Sequence, residues 1–183
     1  MINLEVGSCW VYPGQGAGQI VGVRQAEGLI EFYVPSTEVN ILIKGSAARD
    51  LFRRIASPDR LEQVKTLIQT RTTLKEPVKR AVVIPPNVLQ GIPEDMAGWL
   101  CEIHKGPEKK RRLSRSNNEL AYELATLLIG EIAMGLGVGL SEVEHWMNTM
   151  IPYSNNHKYD PHKGKTVRLV ANNGGFSESD DMV

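Results

Sequence analysis

Three stretches of the sequence contain residues whose types and spacing could support chemistry. A glycine-rich segment runs from Gly14 to Gly18, and a polar segment near the C-terminal end contains His157, Asp160 and His162. A basic segment runs from Lys105 to Arg115. The corresponding chemistries are phosphate binding by backbone N–H groups, metal ligation by histidine and carboxylate, and anion binding by cationic side chains.

The glycine-rich segment departs from known nucleotide-binding loops. A dinucleotide-binding loop has a glycine at its sixth position and leads into a helix, whereas Gln19 occupies that position here and a strand is predicted to follow. The Gly-Lys-Ser/Thr of a P-loop is also missing. The segment therefore predicts a hairpin turn.

The remaining candidates give little support to catalysis or metal binding. His157, Asp160 and His162 lie in a polar segment without an evident supporting shell, so chance proximity is the favoured interpretation. Cys9 and Cys101 are far apart and lack metal-ligand spacing. No serine or cysteine stands in a nucleophile motif. We expect no catalytic residue, no metal, no cofactor and no small-molecule substrate; the protein is predicted not to be an enzyme.

The basic segment is the candidate nucleic-acid contact. Residues 75–115 carry nine Lys or Arg against five Asp or Glu, whereas residues 116–150 carry none against five. The segment leads into Arg115 and Ser116 at the predicted start of a long helix, where free N–H groups and the helix dipole favour an anion. A solvated loop is the alternative interpretation. As a phosphate site, it would position the protein on DNA without reading the base sequence.

Two kinds of regular structure must position these residues. Four β-branched or aromatic runs separated by turn residues predict a small curled sheet or barrel: Cys9–Tyr12, Gln19–Val23, Leu29–Val34 and Val39–Ile43. Helical periodicity follows, with helices expected over residues 47–55, from Pro58, over residues 94–104, and from capping boxes at Ser116 and Ser141.

The predicted fold class is α+β, with a small N-terminal β-module, a compact all-helical domain and a C-terminal tail. The domains are expected at residues 1–56, 57–150 and 151–183. The last of these is polar and predicted to be mostly disordered. Thr166–Val170 is an exception that could add a strand to a sheet edge.

Composition limits the cellular setting. The chain has 183 residues, 42% of them hydrophobic, and a formal net charge of zero, which argues against a generic nucleic-acid binder of high pI. No apolar run is long enough to span a membrane, and the first residues lack the pattern of a secretory signal. We expect a cytoplasmic protein without a membrane partner.

Two motifs resemble the CarD/CdnL family of bacterial transcription regulators. Val6–Ile20 is similar to the opening of the family's N-terminal module, which transcription-repair coupling factors share. Leu113–Leu120 followed by Leu127–Ala133 resembles the last long helix of the family. Weaker similarity runs through Ser57–Ile68 and Gly91–Ile103, in family order.

The resemblance implies a Tudor-like β-barrel that pairs edge to edge with the β subunit of RNA polymerase. Strand addition suits such a contact, because the backbone supplies hydrogen bonds and a few side chains supply selectivity. The residues that match the polymerase-binding edge are Arg24, Asn40, Ile41, Leu42, Ile43 and Lys44.

The resemblance also implies a helical domain that contacts promoter DNA, through its backbone and minor groove, beside the upstream edge of the melted region. The protein would then be nucleoid-associated and modulate open-complex stability. Where the family inserts a tryptophan, this sequence has Pro77 and Val78, which are smaller wedges. The expected DNA-binding residues are Pro77, Val78, Lys79, Arg80, Lys109, Lys110, Arg111, Arg112, Arg115 and Ser116.

An alternative keeps the polymerase contact and omits DNA. The chain would then be an adaptor that recruits another factor through its helical domain or tail. The smaller wedge and the zero net charge favour this second interpretation.

Overall fold

The computed structural model describes residues 4–73, 88, 91–104, 115–151, 166–172 and 175–178. The chain forms two compact units, Met1–Ile55 with Tyr159–Val183, and Ala56–Lys158. The first contains the strands and a short helix, and the second contains longer helices. The predicted α+β class is confirmed.

The first unit contains an antiparallel meander of four strands. They are β1 (Cys9–Tyr12), β2 (Gly16–Arg24), β3 (Leu29–Val34) and β4 (Val39–Lys44). Each strand pairs with the next one along the chain. Helix α1 (Gly45–Leu51) follows directly.

The glycine-rich segment forms the turn between β1 and β2 and the start of β2. The predicted hairpin turn is therefore confirmed. Gly14 and Gly16 have φ of 77° and 116°, a region that side chains disfavour. Gly18 is required for a different reason: a Cβ there would overlap the carbonyl oxygen of Tyr33 and lie 2.7 Å from the ring of Phe32. Turn geometry and close strand packing together account for these three glycines.

The core of the first unit surrounds Phe52, which follows α1. Its ring centroid lies 4.7 Å from that of Phe32, 5.7 Å from Tyr12 and 6.5 Å from Trp10. The next residue, Arg53, exchanges two backbone hydrogen bonds with Val11 of β1, at 2.9 and 3.0 Å. The chain thus returns from the end of β4 to β1. Over the described residues, however, the sheet remains open and does not form the closed barrel that the resemblance implies.

Two further strands extend the sheet beyond β4. Strand β5 (Thr166–Asn172) runs parallel to β4, and β6 (Gly175–Glu178) pairs antiparallel with β5. Strand addition by Thr166–Val170, the predicted exception in a mostly disordered tail, is observed, and Gly175–Glu178 forms a further strand that was not predicted. The β-branched and aliphatic residues of β5 favour an extended backbone, although the surrounding sequence is polar and typical of a disordered segment.

The second unit contains four helices in its described part. They are α2 (Pro58–Thr73), α3 (Pro93–His104), α4 (Arg115–Leu136) and α5 (Leu140–Met150). Their fully buried side chains are mostly aliphatic: Leu61, Ile68, Leu100, Leu124, Leu128, Ile132, Met147 and Ile151.

Two predicted helix caps are wrong. Helix α4 begins at Arg115, so Ser116 lies inside its first turn, where it cannot be the N-cap. Helix α5 has Gly139 as its N-cap, with no side-chain hydrogen bond, and Ser141 lies one residue inside the helix. Gly137 explains the second error: it ends α4 with φ 67°, and Val138 N–H bonds to the Ala133 carbonyl, so little chain is left before α5 begins.

Glu131 is the only charged residue that is fully buried among the residues whose burial is described. Its carboxylate accepts a 3.0 Å hydrogen bond from Ala56 N–H, just before α2. On the surface of the same unit, Arg60 of α2 makes a bidentate pair with Glu94 of α3, at 2.7 and 2.9 Å. These contacts connect α2 to α4 and to α3.

Candidate protein-interaction surface

All six residues expected to bind the polymerase are described, and strand register sorts them by face. Residues directly opposite each other in paired strands project from the same face of a sheet. Arg24 pairs with Leu29, which pairs with Lys44; Glu31 pairs with Leu42 in the next row. Tyr33 pairs with Asn40 in the third row. Arg24, Asn40, Leu42 and Lys44 therefore share one face of the meander, called the outer face below.

Ile41 and Ile43 project from the opposite face into the core. Each has only 1% of its surface exposed, beside Phe32 and Ile30 in the register. Their side chains are therefore inaccessible to a partner, and only their backbone can take part in an edge contact. Buried and more exposed residues alternate along Val39–Lys44, as expected for a strand with one face towards the core.

The outer face combines cations with a partly apolar centre. Arg24 donates a 2.5 Å charged hydrogen bond to Glu31, and their side chains are 49% and 31% exposed. Lys44 is exposed, whereas Leu42 and Tyr33 are half-buried. At this exposure the ion pair contributes about 1 kcal/mol or less, and it orients the guanidinium more than it stabilises the fold.

Gly22 allows this ion pair to form beside β2. A Cβ at Gly22 would lie 2.8 Å from Glu31 Oε2. The register shifts between Ile20 and Gly22, leaving Val21 as an inserted residue that is 43% exposed. Such a bulge bends a strand and changes the direction of the side chains that follow, which include Arg24.

Both edges of β4 are paired over Asn40–Leu42. On one side β3 pairs with all six residues from Val39 to Lys44. On the other side β5 pairs with three, joining Asn40 to Thr166, Ile41 to Val167 and Leu42 to Arg168. The backbone edge that sequence matching assigned to another polypeptide is occupied by a strand of this chain.

The expected DNA-binding residues are mostly outside the described part of the chain. This applies to Pro77, Val78, Lys79, Arg80, Lys109, Lys110, Arg111 and Arg112. The backbone of Arg115 and Ser116 forms the first turn of α4, where helical N–H groups lack partners within the helix. The metal candidates His157, Asp160 and His162 also lie outside the described residues.

Sequence reasoning missed two residues of the outer face and one of the second unit. Glu31 and Tyr33 alternate with buried Ile30, Phe32 and Val34, and that alternation was visible in the sequence. Glu131 interrupts an otherwise apolar run in α4, and its isolation was the available signal. Its hydrogen-bond partner, Ala56, is distant in sequence and could not be identified from the pattern.

Comparisons with known proteins add no identification: no family model matches the sequence, and neither does any curated protein. Within the described residues, no group of histidine, cysteine and carboxylate side chains is suited to hold a metal ion. None of the helices in that part of the chain has the length and apolar character needed to cross a bilayer.

Proposed function

We propose that this chain is a CarD-like transcription regulator that binds the β subunit of RNA polymerase through its first unit. The observation that carries the proposal is a β4 edge that accepts a strand, here β5, on the same strand as Leu42 and Lys44 of the outer face. Arg24 lies on that face two strands away. A backbone edge supplies hydrogen bonds to an incoming strand, and adjacent side chains select its sequence. Arg24 and Lys44 outnumber Glu31 on this face, so its net positive charge suits a partner strand bordered by acidic residues.

A Tudor-like interpretation of the first unit is part of this proposal. The return of Arg53 to β1 supports it, because this bridge brings the chain that follows β4 back beside the first strand of the meander. On this interpretation β4 is the edge that binds the partner.

Binding to the purified polymerase β subunit tests the proposal. Leu42→Asp and the double variant Arg24→Glu/Lys44→Glu should each weaken binding at least about tenfold, because they place negative charge where an acidic partner is expected. Arg49→Glu is the matched control, since Arg49 is an exposed residue of α1 in the same unit. Equal binding by all variants would exclude the outer face from the interface.

The second part of the proposal is a contact between the helical unit and promoter DNA at the upstream edge of the melted region. It is supported by the excess of cations in residues 75–115 and by the N-terminus of α4 at Arg115. Charge reversal at Lys79, Arg80 and Arg115 should weaken DNA association and reduce its salt dependence. Filter binding at several salt concentrations measures both.

A non-DNA-binding adaptor is the second candidate. The zero formal net charge and the presence of Pro77 and Val78 at the wedge position favour it. Footprinting of a promoter–polymerase complex separates the two functions. The regulator alters protection at the upstream edge of the bubble, whereas the adaptor leaves that protection unchanged while still binding the polymerase.

A further inference from the structure

We propose that β5 is a displaceable occupant of a strand-binding site, and that the C-terminal segment regulates access to the β4 edge. Each edge of a strand presents one row of N–H and C=O groups, so a second strand cannot pair there at the same time. Over Asn40–Leu42 that row is used by β5. Any polypeptide that adds a strand to this part of β4 must first displace β5.

Three features make β5 the weaker of the two neighbours of β4. Its pairing is parallel and covers three residue pairs, against six antiparallel pairs with β3. Parallel pairing is slightly less stable per residue. Strand β5 is also separated from β4 by more than a hundred residues of chain, so closing this contact has a larger entropic cost than closing the β3–β4 hairpin.

Covalent attachment nevertheless gives β5 an advantage over a free competitor. A tethered strand acts at an effective concentration that an untethered one must match. The apparent dissociation constant of an outside strand therefore rises in inverse proportion to the fraction of molecules in which β5 has left the edge. Binding is consequently sensitive to changes in the C-terminal segment, far from the contact in sequence.

The first experiment measures occupancy of the edge without assuming any partner. The probe is a fluorescein-labelled peptide of residues 164–180, which includes both β5 and β6. It is titrated into the full chain, into Val167→Pro/Arg168→Pro, and into the control Asp181→Pro/Met182→Pro beyond β6. Because successive residues face opposite edges of a strand, two adjacent prolines always remove one N–H that faces β4.

The peptide should bind the Val167→Pro/Arg168→Pro variant at least about tenfold more tightly than the wild-type chain or the control. Amide exchange at Asn40–Leu42 should also become faster in that variant. Equal affinity for the three proteins, binding to none of them, or unchanged exchange at Asn40–Leu42 would overturn the proposal.

A disulfide lock provides a second variant that keeps β5 in place. Asn40 and Thr166 are register partners, and neighbouring strands lie about 4.8 Å apart, within the range that a disulfide can bridge. Asn40→Cys/Thr166→Cys is made in a Cys9→Ser background, since Cys9 is exposed and Cys101 is buried. The oxidised protein should lose peptide binding, and reduction should restore it. Single Asn40→Cys is the control, and persistent binding by the oxidised pair would contradict the proposal.

The consequence for polymerase rests on the proposed function and is tested separately with the purified β subunit. The proline variant should bind it at least about fivefold more tightly than wild type, and the oxidised cysteine pair should bind it weakly. If the peptide binds the variants as expected but none of them binds the β subunit, the proposed function is excluded, whereas the proposal of a strand-binding site on β4 is retained. If the β subunit binds the wild-type and oxidised proteins equally, regulation of that contact by β5 is excluded.

Discussion

The two edges of β4 are paired by strands of very different origin. The β3 edge belongs to a hairpin of adjacent strands, and its register places Ile41 and Ile43 in the core opposite Phe32 and Ile30. The β5 edge is formed by a segment distant in sequence and covers three residue pairs. The difference is the basis for the proposal that the β5 edge opens while the unit remains folded.

The largest expected effect is on the β3 side. Ile41→Ala should reduce the free energy of unfolding of the first unit by about 2–5 kcal/mol, because it leaves a cavity in a fully buried site. Leu42→Ala, one residue along and on the outer face, is the matched control and should cost about 1 kcal/mol or less. Urea denaturation, monitored through amide exchange in β2 and β3, measures the loss of unfolding free energy in each variant. Similar losses for the two variants would contradict the assignment of faces.

Gly18→Ala should have the next largest effect, about 1–3 kcal/mol, since the added methyl group overlaps the Tyr33 carbonyl oxygen and the Phe32 ring. Gly14→Ala is the comparison. It meets no atom within 4 Å and should cost about 1 kcal/mol from its positive φ alone. If Gly14→Ala destabilises the unit more than Gly18→Ala, turn strain outweighs strand packing in this segment.

Changes on the β5 side should cost less than either core change. Val167→Pro/Arg168→Pro removes hydrogen bonds between β5 and β4 that are worth about 0.5–1.5 kcal/mol each. Residues 166–168 of β5 pair only with β4, because β6 pairs with residues 169–172. The unfolding midpoint of the β1–β4 meander should therefore change little, although exchange at Asn40–Leu42 accelerates. Global unfolding of the unit in this variant would show that the two edges of β4 are not independent.

The smallest effect is expected in the second unit, at Glu123 of α4. Burial and then the charge of Glu119 raise the pKa of Glu123 above its usual value. The folded state therefore holds this proton more tightly than the unfolded state, and its contribution to stability is lost as pH rises through the folded pKa.

Glu123→Gln should accordingly stabilise the second unit at neutral pH by about 0.5 kcal/mol or less, because Glu123 is only partly buried and solvent screens its repulsion by Glu119. In acid the variant and wild type should be equally stable. Glu119→Gln should reproduce part of the effect by removing the second cause. Denaturation curves at acidic and neutral pH provide the measurement, and a pH-independent difference would contradict this origin.

The sequence predicted local structure well where neighbouring residues determine it. The alternation in β3 and β4, the proline at the start of α2 and the glycine turn before β2 all act over a few residues, and each element was predicted. The predicted N-caps of α4 and α5 were wrong, because Ser116 and Ser141 have capping chemistry but lie inside these helices.

Contacts between distant parts of the chain were harder to predict. The pairing of β5 with β4, the return of Arg53 to Val11 and the bond from Ala56 to Glu131 join segments whose sequences carry no sign of their partners. The candidate surface shows the same limit: its residues could be proposed, but their faces required the register and the location of the core.

The backbone bridge between Val11 and Arg53 has a consequence for protein engineering. It places Val11, the third residue of β1, beside Arg53, so the segment between them starts and stops at nearly the same point in space. Segments with adjacent ends tolerate insertion into a host loop and circular permutation. Residues 4–53, which keep the backbone hydrogen bonds of Gly7 and Ser8 to Ile20, are therefore a suitable segment for transplantation. In a host without β5, the edge of β4 that β5 occupies here would be exposed.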